Sequence, residues 1–103
     1  MTSRDDADLL AVTTQLRAAL DGAYGKIRAV DVLVLAGFER PSYARRKLVV
    51  AAMRTLGWDR GRLRFDGELA YAYARGSQLE REATLYVECE GDDPRGVVAR
   101  REP

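Results

Sequence analysis

Apolar positions recur every three or four residues in the first half of this chain and alternate with polar ones in much of the second. Leu9, Val12, Leu16, Ala19 and Leu20 share helical spacing and Asp21-Gly22 closes the run, so a helix is predicted over 3–20. Asp5, Asp6 and Asp8 then favour the positive end of the helix dipole, which accounts for the acidic cluster without a ligand. Beyond the loop Gly22-Ala23-Tyr24-Gly25, the residues Ile27, Val30, Val34 and Leu35 again recur at three or four, with Leu33 widening the apolar side. This run is rich in β-branched residues and has strand propensity. Its length and the polar pair Arg28 and Asp31, three apart, favour a short buried helix over 26–36, ended by Gly37.

The stretch 41–58 organises the rest. Pro41 and Ser42 supply a fixed φ and a side-chain acceptor for helix entry, and Gly57 supplies the stop. At about 100° per residue, Leu48, Val49, Ala52, Met53 and Leu56 fall on one side of this helix. Tyr43, Arg46, Lys47, Val50 and Arg54 fall on the other, with no acidic residue among them. The bland account of such a face is a solvated surface with snorkelling side chains. The short connection Gly37-Phe38-Glu39-Arg40 sets two helices at a large angle, as in a helix-turn-helix.

Trp58-Asp59-Arg60-Gly61 is read as a turn, after which 62–65 and 68–75 flank Asp66-Gly67, a strong hairpin signal. A two-residue loop pairs Phe65 with Glu68, Arg64 with Leu69, Leu63 with Ala70 and Arg62 with Tyr71. Leu63, Phe65, Ala70 and Ala72 are then expected on the packed face, leaving Arg62, Arg64, Tyr71, Tyr73 and Arg75 outside. The opposite possibility, that Tyr71 and Tyr73 are core residues packed on Trp58, stays open.

Ser77-Gln78-Leu79-Glu80 fits a capping box and predicts a helix over 78–89 bearing Leu79, Ala83, Tyr86 and Val87 on one stripe. Such a stripe would serve self-association as a homodimer. The competing reading is a strand over 84–89, where Leu85, Val87 and Cys89 alternate with Tyr86 and Glu88. Asp92-Asp93-Pro94 breaks whatever precedes it, and 96–103 reads as a short strand or a loose tail.

Charge changes this picture once it is divided along the chain. The net charge of +1 conceals −2 over residues 1–39, +6 over 40–76 and −3 over 77–103. The middle segment holds eight Arg and one Lys, and binding follows such a local field more than the total. Arginine matters because its planar fork meets phosphate, or guanine O6 and N7, with two hydrogen bonds. The chain has no His and a single Cys, Cys89, so neither a metal site, a cofactor nor an internal disulfide is expected. Scattered carboxylates and tyrosines without a base give no catalytic constellation, and no enzyme activity is expected. No apolar run approaches a membrane span and the acidic start is unlike a secretory leader, so the expected location is the cytoplasm.

Three helices followed by a hairpin resemble the winged helix-turn-helix DNA-binding family. The segments that carry the resemblance are 41–58 as recognition helix and 62–75 as wing, within 9–76 overall. The run Ala52-Met53-Arg54-Thr55-Leu56-Gly57-Trp58, followed by a basic hairpin with Asp66-Gly67 and Tyr73, is also similar to small winged-helix modules of phage and mobile-element proteins. The fold class expected is therefore α+β, with a winged helix-turn-helix domain at 1–76 and an acidic helix or strand extension at 77–103.

The resemblance implies a binder of double-stranded DNA, acting in transcription regulation or as a replication or packaging accessory. Its recognition helix would enter the major groove and its wing would touch the backbone. Ser42 and the helix-start amides would contact phosphate, Arg46 and Tyr43 would reach base edges, and Lys47 and Arg54 would lie nearer the backbone. Arg60, Arg62, Arg64 and Arg75 would clamp phosphates through the wing. Arg45 departs from this pattern, since its direction is toward the packed side, from which it turns outward or pairs with Asp31. The alternative is a protein-interaction module whose basic face docks an acidic protein, or whose acidic segment 80–93 covers a basic partner.

Overall fold

The chain runs α1 (Arg4–Ala19), β1 (Gly25–Arg28), α2 (Ala29–Leu35), α3 (Tyr43–Thr55), β2 (Asp59–Phe65), β3 (Glu68–Arg75), β4 (Thr84–Glu88) and β5 (Val97–Arg101). The computed structural model describes residues 4–38, 40–88 and 97–101, with backbone alone at 4, 5, 97, 100 and 101. Glu39, Cys89 and the break expected at Asp92-Asp93-Pro94 lie outside the described residues. The fold is α+β, with three helices and a five-stranded mixed sheet in the order β2-β3-β1-β4-β5.

The sheet is antiparallel except where β1 runs parallel to β4. Ile27 pairs with Tyr73 on one side and Leu85 on the other, so all three project from the same face. That face meets Leu16 from α1 and Leu20 just past its end, Val32 and Leu35 from α2, and Val49, Ala52 and Met53 from α3 in one core. Fully burying aliphatic side chains of this kind contributes roughly 1.5–3 kcal/mol each before conformational entropy is charged against it.

The first and third helices follow their apolar periodicity. Ser42 caps α3 by accepting the Arg45 N–H at 3.3 Å, and Trp58 N–H returns to Met53 O at 3.0 Å where the helix closes through Gly57. The helix expected over 26–36 is corrected at its start, because Gly25–Arg28 form β1 and the helix begins at Ala29. Local spacing placed Ile27 and Val30 on one helical face. Tertiary pairing with β3 and β4 instead buries Ile27 completely and leaves Val30 63% exposed.

The hairpin register is as expected, from Phe65 opposite Glu68 through to Arg62 opposite Tyr71, and β2 extends back to Asp59. Asp66 and Gly67 both adopt positive φ, 51° and 87°, the conformation that a two-residue turn of matching twist requires. Phe65 and Ala72 are buried as expected, but the helical core forms on the other face, which corrects the placement of Tyr73 outside. The helices cover the arginine–tyrosine side at its base, where Tyr73 is buried in the core, and leave Tyr71 uncovered farther out. The opposite side carries Phe65, buried beneath Lys26 and Arg28 with their cationic groups 5.2 and 4.5 Å from its ring centre.

The helix expected over 78–89 is also corrected. The capping box forms, with Ser77 N–H donating to Glu80 Oε1 at 2.8 Å and Glu80 N–H to Ser77 Oγ at 3.2 Å. It starts only a 3₁₀ turn at Glu80–Glu82 before the chain enters β4. The open edge of β1 supplies partners that a solvent-exposed helix would lack, and the alternation from Thr84 onward fits that edge. Ala83 and Leu85 are buried, so the segment after residue 76 completes the sheet and core.

Candidate functional site

Because α3 commits Val49, Ala52 and Met53 to the core, the 3.6-residue period turns Arg46, Val50 and Arg54 toward a neighbouring flank. The hairpin provides the opposite wall. Arg60 pairs with the buried Tyr73 and Arg62 with the exposed Tyr71, which sets both arginines on the side of the sheet that faces the helices. Two adjoining clefts result, sharing Val50, Arg60, Tyr71 and Tyr73. One, of about 450 Å³, lies by Arg54 and Arg62; the other, of about 280 Å³, reaches Arg28, Val30, Leu33 and Arg46.

Four arginines therefore line a single trough, Arg46, Arg54, Arg60 and Arg62, while Arg28 touches its edge and carries its guanidinium to the opposite sheet face over Phe65. Its one carboxylate, Asp59, is bound at 2.6 Å by Arg81 Nη2, and among the described residues no carboxylate lies within ion-pair distance of the four. Burial pushes the Tyr73 hydroxyl pKa above its usual value, opposed by the charge and hydrogen bond of Arg60. Arg60 is thus anchored at the base of the trough while its guanidinium carbon stands 5.5 Å from the Tyr71 ring centre. Arg62 stands 5.7 Å from the same ring. Asp31, on α2, is also pushed above the usual carboxylate value by burial, with Arg28 pulling the other way.

The remaining expected contact residues divide. Tyr43 is 76% exposed at the start of α3, with Lys47 Nζ 5.3 Å from its ring centre, and both remain free to meet a ligand beside the trough. Ser42 spends its hydroxyl on the cap. Arg45 turns outward and stands 5.3 Å from the Phe38 ring centre, not in an ion pair with Asp31. Arg64 folds back over the hairpin turn, donating to Gly67 O at 3.2 Å.

Arg75 is a correction. It was expected to clamp phosphate, but it points inward: Nε and Nη2 donate to Ala23 O at 3.0 and 2.6 Å, Nη2 to Leu20 O at 3.0 Å and Nη1 to Leu56 O at 3.3 Å. The carbonyls of Leu20 and Leu56 lie at the C-terminal ends of α1 and α3, where helix dipoles favour a cation.

The dimer stripe is corrected as well. Leu79 is 76% exposed while Ala83 is 1% exposed, and Tyr86 and Val87 project from opposite faces of β4, so the four do not align. Val30 and Leu33 were missed as trough residues. With 26–36 read as one helix, Val30 was expected beside Ile27 on the buried side, and only the strand-to-helix switch at Arg28 leaves it lining the trough.

Among the described residues no group of three or more His, Cys, Asp or Glu side chains is placed to hold a metal ion. No helix among them is long and apolar enough to cross a membrane. No family model, curated protein or solved structure matches the chain.

Proposed function

We propose that the protein binds duplex DNA in the manner of a winged helix-turn-helix, with the exposed flank of α3 in the major groove and the β2–β3 hairpin on the backbone. The observation that carries this reading is the trough of four arginines formed between α3 and the hairpin, whose one carboxylate, Asp59, is already bound by Arg81. Arginine forks suit phosphate oxygens and guanine edges alike, and Tyr43, Arg46 and Lys47 stand at the entering end of α3. Support also comes from the order of elements, in which three helices precede the hairpin and β1 ties β3 back onto the helical layer.

The four arginines and Lys47 offer five phosphate contacts, for which log affinity falls with log salt at a slope of about −4.5. Mobility shifts with random and selected duplexes across a salt series measure this. Arg46→Ala and Arg60→Ala are each expected to weaken binding and reduce the slope by about 1. Absence of binding below about 10 μM at about 50 mM salt, weaker than ordinary nonspecific affinity, overturns the reading.

A further inference from the structure

The trough is unequal along its length. Toward Arg54 and Arg62 it is a basic channel, whereas toward α2 its wall is largely aliphatic: Val30, Leu33, Val49 and Val50 beside the Tyr71 ring. Phosphate oxygens do not account for that wall. Val30 and Tyr71 remain 63% and 60% exposed, so apolar area stays in water at the mouth of the smaller cleft. Arg60 and Arg62 flank Tyr71 at 5.5 and 5.7 Å, restricting the ring while leaving it accessible.

From this juxtaposition we infer that the smaller cleft takes an unpaired nucleobase, held between the Tyr71 ring and the aliphatic wall of α2 and α3, while Arg46 and Arg60 take its flanking phosphates. The inference rests on the DNA-binding reading above. A paired base is stacked on both faces and shows only its edge in a groove. An unpaired base offers a flat apolar face with a phosphate on either side, which is the combination of surface and charge that this cleft complements. The volume, about 280 Å³, is close to the lower end of small-molecule pockets, roughly 300 Å³, and so suits one base better than a run of them. The protein would accordingly prefer duplexes interrupted by a bulge or fork over continuous ones.

The test compares three labelled duplexes by fluorescence anisotropy: fully paired, carrying a single bulged 2-aminopurine, and carrying an abasic residue at the bulge. The bulged duplex is expected to bind roughly tenfold more tightly than the paired one, with its 2-aminopurine emission quenched. The abasic bulge should lose that advantage. Tyr71→Ala, at an exposed position where folding is not at stake, should abolish both the preference and the quenching, and Tyr71→Trp should retain them. Arg60→Ala should weaken all three duplexes together.

Equal affinity for paired and bulged duplexes overturns the base pocket and leaves duplex binding standing. Failure to bind any of the three removes both. Binding of a Leu- and Glu-rich peptide in the cleft without nucleic-acid binding overturns the inference in favour of an acidic protein partner.

Discussion

The guanidinium of Arg75 lies 4.7 Å from the centre of the Trp58 ring while its nitrogens reach the carbonyls of Leu20, Ala23 and Leu56. One cation thereby joins the ends of α1 and α3 to the last residue of β3. The same residue type in Arg60 and Arg62 faces the trough, two or more pairings farther along the hairpin. Arginine content alone therefore does not separate a ligand-facing group from a brace.

Arg75→Ala leaves three carbonyls at helix ends and a connecting loop without this donor, and hydrogen bonds to charged groups are worth about 1.5–3 kcal/mol each, without simple additivity. A loss of about 3 kcal/mol in urea unfolding is expected. Arg75→Lys should recover little, because an ammonium cannot span the three acceptors as a planar fork does. A variant as stable as the parent, with a reduced salt slope for DNA, would return Arg75 to the phosphate-contacting set.

Gly25 opens β1 at φ +128°, and a Cβ there would stand 2.6 Å from the backbone oxygen of Ala83. That oxygen accepts the Lys26 N–H at 2.9 Å, so the approach belongs to the join between β1 and the start of β4. Gly25→Ala is expected to cost about 2–4 kcal/mol, read as a lower denaturation midpoint. Hydrogen exchange should show lost protection at Ile27 and Leu85 before α3 is affected. Unchanged stability would mean that the strands separate at no cost.

Burial raises the Tyr73 pKa in the folded chain, so above the ordinary phenol value of about 10 the unfolded chain releases its proton first. Stability is unaffected below that value and declines as pH rises from it toward the folded pKa, by at most about 1.4 kcal/mol per unit. Thermal melts between neutral and strongly alkaline pH should show this decline, and Tyr73→Phe should flatten it. An equally steep decline in the variant would assign it to other groups.

Asp31 also titrates upward on burial, which means that its ionised form opposes folding. Stability from this group is full below the ordinary value of 3.8 and is lost as pH rises through the folded pKa. Asp31→Asn should therefore melt at a higher temperature than the parent at neutral pH, with the gain vanishing in strong acid. A lower melting temperature at neutral pH would show that the carboxylate's place in the first turn of α2 outweighs its burial.

Local periodicity sufficed for α1, α3 and the hairpin register: residues such as Leu16, Met53 and Asp66-Gly67 impose their conformations through contacts a few positions away. The basic flank of α3 was legible for the same reason, because committing Val49 and Met53 to the core fixes where Arg46 and Arg54 point. The segments 25–28 and 84–88 have propensities near balance, and pairing with distant strand edges made them strands. Alternation also showed that Arg62, Tyr71, Tyr73 and Arg75 share one side of the hairpin, but not what would cover it. The tertiary structure alone decided that the helices cover Tyr73 and Arg75 and stop short of Tyr71, since burial depends on how far a packed layer extends along a strand.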